Sequence, residues 1–185
     1  MPGVGRQGRT KRLNRALRFL AVLLLVAAPG ASANLGPFHP LGADQIADSV
    51  RLEKAARRLT LFRGNQVLKV YRVSLGSEPH GAKERQGDGR TPEGRYTVDS
   101  HKADSAFHRA LHISYPNAAD RGRARKLGVS AGGDIMIHGL PNDRAWIGWL
   151  QRFSDWTHGC IAVTDPEIEE IYNAVPDGTP IEIVP

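Results

Sequence analysis

The chain contains one cysteine, Cys160, two residues after a histidine in the stretch "DWTHGCIAV", residues 155 to 163. A thiol becomes a nucleophile when it is held as thiolate, commonly beside an imidazole that takes its proton. Two imidazoles are candidates. His158 is the near neighbour, and His138 ends the apolar run "DIMIH" twenty residues earlier, followed at once by Gly139. The base of such a pair needs a third group to fix its tautomer, and a backbone carbonyl such as that of Gly139 can serve. Gly159 lets the backbone approach a substrate closely, and the N–H groups of Gly159 and Cys160 are candidates to face a developing oxyanion. Thr157 is a candidate to orient one imidazole. The same residues admit two other readings, an inert thiol or a three-ligand zinc site of His138, His158 and Cys160. His39, His80, His101, His108 and His112 make no obvious metal-ligand spacing with them.

The N-terminal segment bears on that thiol. Arg6, Arg9, Lys11, Arg12, Arg15 and Arg18 precede an unbroken apolar run from Phe19 to Ala28, then Pro29-Gly30 and the small-residue triplet Ala31-Ser32-Ala33. This is the pattern of a secretory signal peptide over residues 1–33, and the run is short for a bilayer span. An uncleaved membrane anchor is the alternative. Exported proteins meet oxidising conditions in which cysteines pair, so a solitary one is inert, an intermolecular bridge or reactive. Removing the six basic residues of the signal from the chain's 25 leaves 19 to balance 19 acidic residues. The high isoelectric point is then no argument for nucleic acid. Arg121, Arg123, Arg125 and Lys126 read as a solvated helix face.

Elements that would position the pair are legible as alternation and turn chemistry. After a poorly patterned lead-in over 34–47, residues 49–53 and 58–62 alternate. A turn over 63–66 joins the latter to a strand over 67–74, making a hairpin. Residues 76–95, "GSEPHGAKERQGDGRTPEGR", form a long Gly/Pro-rich charged loop, of a length usually functional or mobile. Strands follow at 96–98, 112–115 and 134–138. A short helix from an Asn117 cap to Leu127, stopped by Gly128, lies between the last two. Residues 140–156 are irregular and hold Trp146, Trp149 and Trp156. Ile168, Ile171, Tyr172 and Val175 define one face of a final helix, capped by Thr164 with Glu167 or by Asp165 with Pro166. A closing strand spans 180–184. The sum is a mainly β architecture with short helices.

"IMIHGLPN" followed by "DWTHGCIAV" resembles the catalytic signature of the L,D-transpeptidase (YkuD) family: a His-Gly pair, a spacer, then Ser/Thr-His-Gly-Cys. "VSLG" at 73–76 and "GDGRTPEGRY" at 87–96 resemble the family's strand and loop that precede the site. The resemblance covers residues 48–185. It implies a β-sandwich of mixed sheets with short helices, one near the C-terminus, and a cysteine enzyme without cofactor or metal. It implies further that the enzyme acts on peptidoglycan stem peptides in the periplasm, in maintenance of the wall and of cell shape, with a wall-linked lipoprotein as an alternative partner. In the roles so implied, Cys160 attacks the carbonyl between the L-centre of diaminopimelate and terminal D-alanine, and His138, oriented by the Gly139 carbonyl, relays the proton. The N–H groups of Gly159 and Cys160, with His158 nearby, hold the oxyanion. Thr157, Tyr115, Arg90 and Trp156 are the substrate-binding candidates. From their place on the Gly/Pro-rich segment, Arg90, Arg95 and Lys83 are candidates to guide stem carboxylates, with a solvated loop as the alternative. Transfer to an amine would form a cross-link, while transfer to water would make the enzyme a carboxypeptidase or a lipoprotein-releasing hydrolase. A wall-binding module that has kept the fold is the non-catalytic alternative. Many family members carry Arg or Asn two residues after the cysteine, where this chain has Ala162. Sortases require an arginine beyond the cysteine, and no Lys or Arg follows Arg152. Papain-like and NlpC/P60 enzymes run Cys before His, the reverse order.

Overall fold

The computed structural model describes residues 40–185. The segment expected to be an export signal lies outside the described residues. Among them, no helix is long and apolar enough to cross a membrane.

Eight strands form one mixed sheet in the order β3-β2-β1-β8-β4-β5-β6-β7. The first three are β1 (Ser49–Glu53), β2 (Arg58–Arg63) and β3 (Gln66–Arg72). They pair antiparallel as the alternation predicts, and Gly64 takes the positive φ of the β2–β3 turn. The closing strand β8 (Pro180–Val184) lies parallel to β1. β4 (Gly94–Ser105) pairs with β8 through its first residues and with β5 (His108–Ile113) through the rest. It therefore belongs to both halves of the sheet. Register shifts within the β4–β5 pair bend it, as bulges do. Sequence alternation detects only residues 96–98 of β4, because its distal half is largely exposed on both faces. The predicted strand at 112–115 is centred earlier in the chain, with Tyr115 beyond its end.

β6 (Met136–His138) pairs antiparallel with β5 and parallel with β7 (Ile161–Ala162). The sheet nearly closes on itself here. Ser74 and Ala162 exchange both backbone hydrogen bonds, at 2.9 and 2.8 Å, and Gly76 bridges to Thr157. The enclosed core includes Leu52, Leu59, Leu61, Val98, Ile113, Ile137, Ile161 and Ile183.

α1 (Ala118–Lys126) has Asn117 as N-cap in a capping box with Asp120, and its four basic residues are exposed. α2 (Asp165–Ala174) resolves the sequence ambiguity in favour of Thr164: its side chain and that of Glu167 form the capping box. Ile168 and Ile171 are fully buried against the sheet. The expected irregular connection is a 3₁₀ segment over Ala145–Phe153, broken at Gly148. Trp146 and Trp149 are 80% and 60% exposed on it, so neither is a packing residue.

Candidate active site

The sheet register builds the site. Ile137 pairs with Ile161 and His138 with Ala162, so Cys160, one residue ahead of β7, lies beside Met136. His138 and Cys160 thus stand on neighbouring parallel strands, two residues out of step, the displacement that keeps both on one face. His138 is 3% exposed. Its Nδ1–H donates to the Gly139 carbonyl at 2.7 Å, which leaves Nε2 as the free ring nitrogen. The ring packs 4.5 Å from Phe107 and 5.8 Å from Trp156. Burial among these rings holds the imidazole below its ordinary value against the opposing pull of the Gly139 carbonyl.

Cys160 Sγ contacts the Asp134 carbonyl at 3.5 Å and opens into a cleft of about 640 Å³. Ser77, Lys83, Gln86, Asp134, Ile135 and His158 contribute to its walls. Burial pushes the thiol up, partly countered by the Met136 backbone N–H and the Lys83 charge. Both shifts favour the uncharged forms, a thiol and an imidazole.

Glycines set the close approaches. Gly159 has φ +127°, and a Cβ there would lie 2.6 Å from the Arg90 carbonyl. A Cβ on Gly139 would lie 2.6 Å from Asp165 Oδ1. That carboxylate, in the first turn of α2, accepts the Leu140 N–H at 2.7 Å and so ties the His-Gly turn to the helix.

Several candidates occupy other places than the sequence suggests. Thr157 is buried and does not face the cleft. Its hydroxyl donates to the Cys160 carbonyl at 2.8 Å and accepts the Gly159 N–H at 3.1 Å. The Gly159 N–H is therefore already engaged within the turn. The Thr-His-Gly spacing is that of a hydroxyl closing a turn on the N–H two residues on, a signal available in the sequence. Tyr115 is 3% exposed, stacks edge-on with Tyr96 and donates to the Ala131 carbonyl, so it is a core residue. The Arg90 side chain turns toward the Ala82 carbonyl and Glu84 on its own loop, and its backbone carbonyl is the group that meets Gly159. Arg95 is on the sheet surface, paired with Glu182. Trp156 packs on the outer side of His138 with its Nε1–H on Gln151. His158 is exposed at the cleft. Lys83 alone of the three cations reaches the cleft wall.

Sequence reasoning missed Phe107, which has no motif and reaches His138 from the tip of the β4–β5 hairpin. It also missed Asp155, which accepts from Arg57 at 2.6 Å and from the Leu75 N–H at 2.9 Å. Among the described residues, no three His, Cys, Asp or Glu side chains gather in a metal-binding group.

The nearly closed mixed sheet, with a buried, carbonyl-oriented histidine and a cysteine that opens into a cleft, has the fold of the L,D-transpeptidases. A family model for the L,D-transpeptidase catalytic domain matches residues 47–183, and the chain belongs to that family. A putative L,D-transpeptidase YafK of Escherichia coli is 32% identical over 155 residues, covering 79% of this chain and 55% of the relative. The chain thus spans about half the length of that curated relative. A putative L,D-transpeptidase YqjB of Bacillus subtilis is 27% identical, covering 80% of this chain and 79% of the relative. The helical cell shape determining protein Pgp2 of Campylobacter jejuni superposes with a TM-score of 0.55 at 25% identity, over 77% of this chain and 52% of that one. An L,D-transpeptidase from Mycobacterium smegmatis shares the fold, with a TM-score of 0.51 at 17% identity, over 75% of this chain and 59% of that one.

Proposed function

We propose that the chain is a cysteine-dependent peptidoglycan L,D-transpeptidase acting on tetrapeptide stems. The observation that carries this reading is the placement of His138 at the end of β6 and Cys160 just ahead of the adjacent parallel β7, with Nδ1 fixed by Gly139 and the thiol open to a cleft.

The proposed sequence of bonds is as follows. Cys160 Sγ attacks the carbonyl between diaminopimelate and terminal D-alanine while His138 Nε2 takes the thiol proton. The Cys160 N–H, aided by His158, stabilises the oxyanion. Collapse breaks the C–N bond, His138 returns the proton to the departing D-alanine amine, and a thioester remains. The amine of a second stem then attacks the thioester. His138 takes the amine proton and delivers it to sulfur as the thiol leaves, and a new amide cross-links the two stems.

Water as acceptor is a second reading, giving an L,D-carboxypeptidase or a hydrolase that releases a wall-linked lipoprotein. Ala162 favours keeping it, since it is fully buried, bonded through its backbone to Ser74, and offers an acceptor amine no polar side chain. The export signal expected over residues 1–33 supports action in the periplasm, and the likeness to a cell shape determining protein supports a role in wall architecture.

Incubating the protein with disaccharide-tetrapeptide and separating the products tests the proposal. D-alanine with a cross-linked dimer is the expected result. D-alanine with tripeptide alone establishes the carboxypeptidase, and intact tetrapeptide refutes both it and the transpeptidase, leaving lipoprotein-linked wall fragments as the substrate to test.

A further inference from the structure

Lys83 is 3% exposed, yet it lines the cleft that Cys160 opens into. Among the described residues of that lining it is the one lysine or arginine. Its Nζ donates to Asp88 Oδ1 at 2.7 Å, one partner for an ammonium with three N–H groups. Asp88 is itself fixed from behind. Its Oδ2 accepts the N–H groups of Glu84 and Arg85 at 2.8 and 3.0 Å, and its Oδ1 also accepts that of Arg90 at 3.1 Å. The carboxylate shares its charge with three backbone donors and serves as a rigid post. The ammonium mounted on it is desolvated, held in place and only partly neutralised.

We propose that Lys83 receives a carboxylate of the acyl-donor stem, seating the donor against Cys160. The inference rests on the peptidoglycan-stem reading and specifies how that site binds its substrate. A desolvated ammonium with spare donors forms its strongest contact with an anionic oxygen, and a stem peptide brings carboxylates within one residue of the scissile carbonyl. Asp134 also lines the cleft and, being anionic, offers a carboxylate no counter-charge, which leaves Lys83. His158, the remaining ionisable group of the lining beside the thiol, is exposed. Two carboxylates lie on the residues joined by the scissile bond, and these are the candidates: that of terminal D-alanine and that of the diaminopimelate side chain.

The test separates the two sources and is independent of turnover. In Cys160→Ala protein, with Lys83 intact or replaced by Met, calorimetry measures the Kd of three tetrapeptides: unmodified, amidated at D-alanine, and amidated at the diaminopimelate side chain. Lys83→Met is expected to weaken the unmodified peptide about ten- to hundredfold, the range of a hydrogen bond to a charged partner. It is expected to leave the affinity for one amidated peptide unchanged, and that peptide names the carboxylate. Lys83→Met paired with Asp88→Asn removes the stranded aspartate charge and must show the same pattern if the loop stays folded. Equal weakening of all three peptides, no weakening of any, or no binding by the Lys83-intact protein overturns the proposal. Turnover by the unaltered enzyme reports separately on the peptidoglycan reading.

Discussion

His138 and Cys160 are both pushed toward their neutral forms by burial, and this fixes how activity must depend on pH. Protonation of His138 removes the base. Its value lies below the ordinary 6.5, so the acid limb of kcat/KM should fall below pH 6.5, with activity constant above it until the thiol ionises beyond the ordinary 9.0. A bell-shaped profile, with an alkaline limb well below pH 9.0 where an imidazolium loses its proton, would indicate an imidazolium–thiolate pair at rest. Thr157 offers a second test at this scale. Thr157→Val removes the hydroxyl that bridges the Gly159 N–H and the Cys160 carbonyl, and should cost about 1–3 kcal/mol of stability by urea unfolding, with a larger proportional loss in kcat than in KM. Substrate contact by Thr157 would instead raise KM with stability unchanged. The chemistry at this scale was legible: the types and spacing of His138, Gly139 and Cys160 carried the reading. The division of labour around them was not. Whether a threonine faces a cleft or closes a turn depends on one rotamer, and Tyr115 is buried by a sheet assembled from distant segments.

The elements that present these residues are short, and the site depends on what braces them. β7 has two residues and β6 three, too few for their own ladder to hold the pair in register. The brace is Asp155, which receives a bidentate contact from Arg57 near the β1–β2 turn and the Leu75 N–H from the opposite side. Asp155→Ala leaves Arg57 without its carboxylate partner and releases the irregular segment that precedes Thr157. It should lower Tm by several degrees, from a loss of about 1–3 kcal/mol. Accompanied by faster amide exchange at Ser74 and Ala162, that result would identify the brace; unchanged exchange there would contradict it. Local signals predicted the elements that carry their own pattern: the β2–β3 hairpin, the Asn117 cap, the amphipathic face of α2 and β8. They failed for β4, whose outer half alternates against nothing buried, and for the 3₁₀ segment, whose exposed tryptophans resemble core residues by type alone.

At the scale of the whole molecule, the loop between β3 and β4 is a structured wall of the cleft rather than a mobile connection. Buried Lys54 reaches the carbonyls of Gly81 and Thr91 and the Glu93 carboxylate, while Lys83 and Asp88 pair further in. Burial alone would raise Asp88, but the Lys83 ammonium and the N–H groups of Arg85, Glu84 and Arg90 outweigh it and hold the carboxyl at about 2, below its ordinary 3.8. A carboxyl lowered by folding stabilises the protein above its unfolded value and loses that contribution as pH falls through its folded one. Unfolding free energy should therefore decline between pH 3.8 and about 2, and Asp88→Asn should remove part of that slope. An identical slope in the variant would show that Asp88 is not tied into the folded wall. Composition suggested a functional loop at this place, but only the three-dimensional path shows which of its cations turns inward.

On the proposed mechanism Cys160 carries the acyl group. Rapid quenching of the protein with tetrapeptide, followed by intact-protein mass spectrometry and peptide mapping, should show an added mass equal to the stem lacking D-alanine, located on Cys160, released by hydroxylamine and absent from Cys160→Ser. Turnover of tetrapeptide by Cys160→Ser at the unaltered rate, with no adduct on either protein, would contradict it.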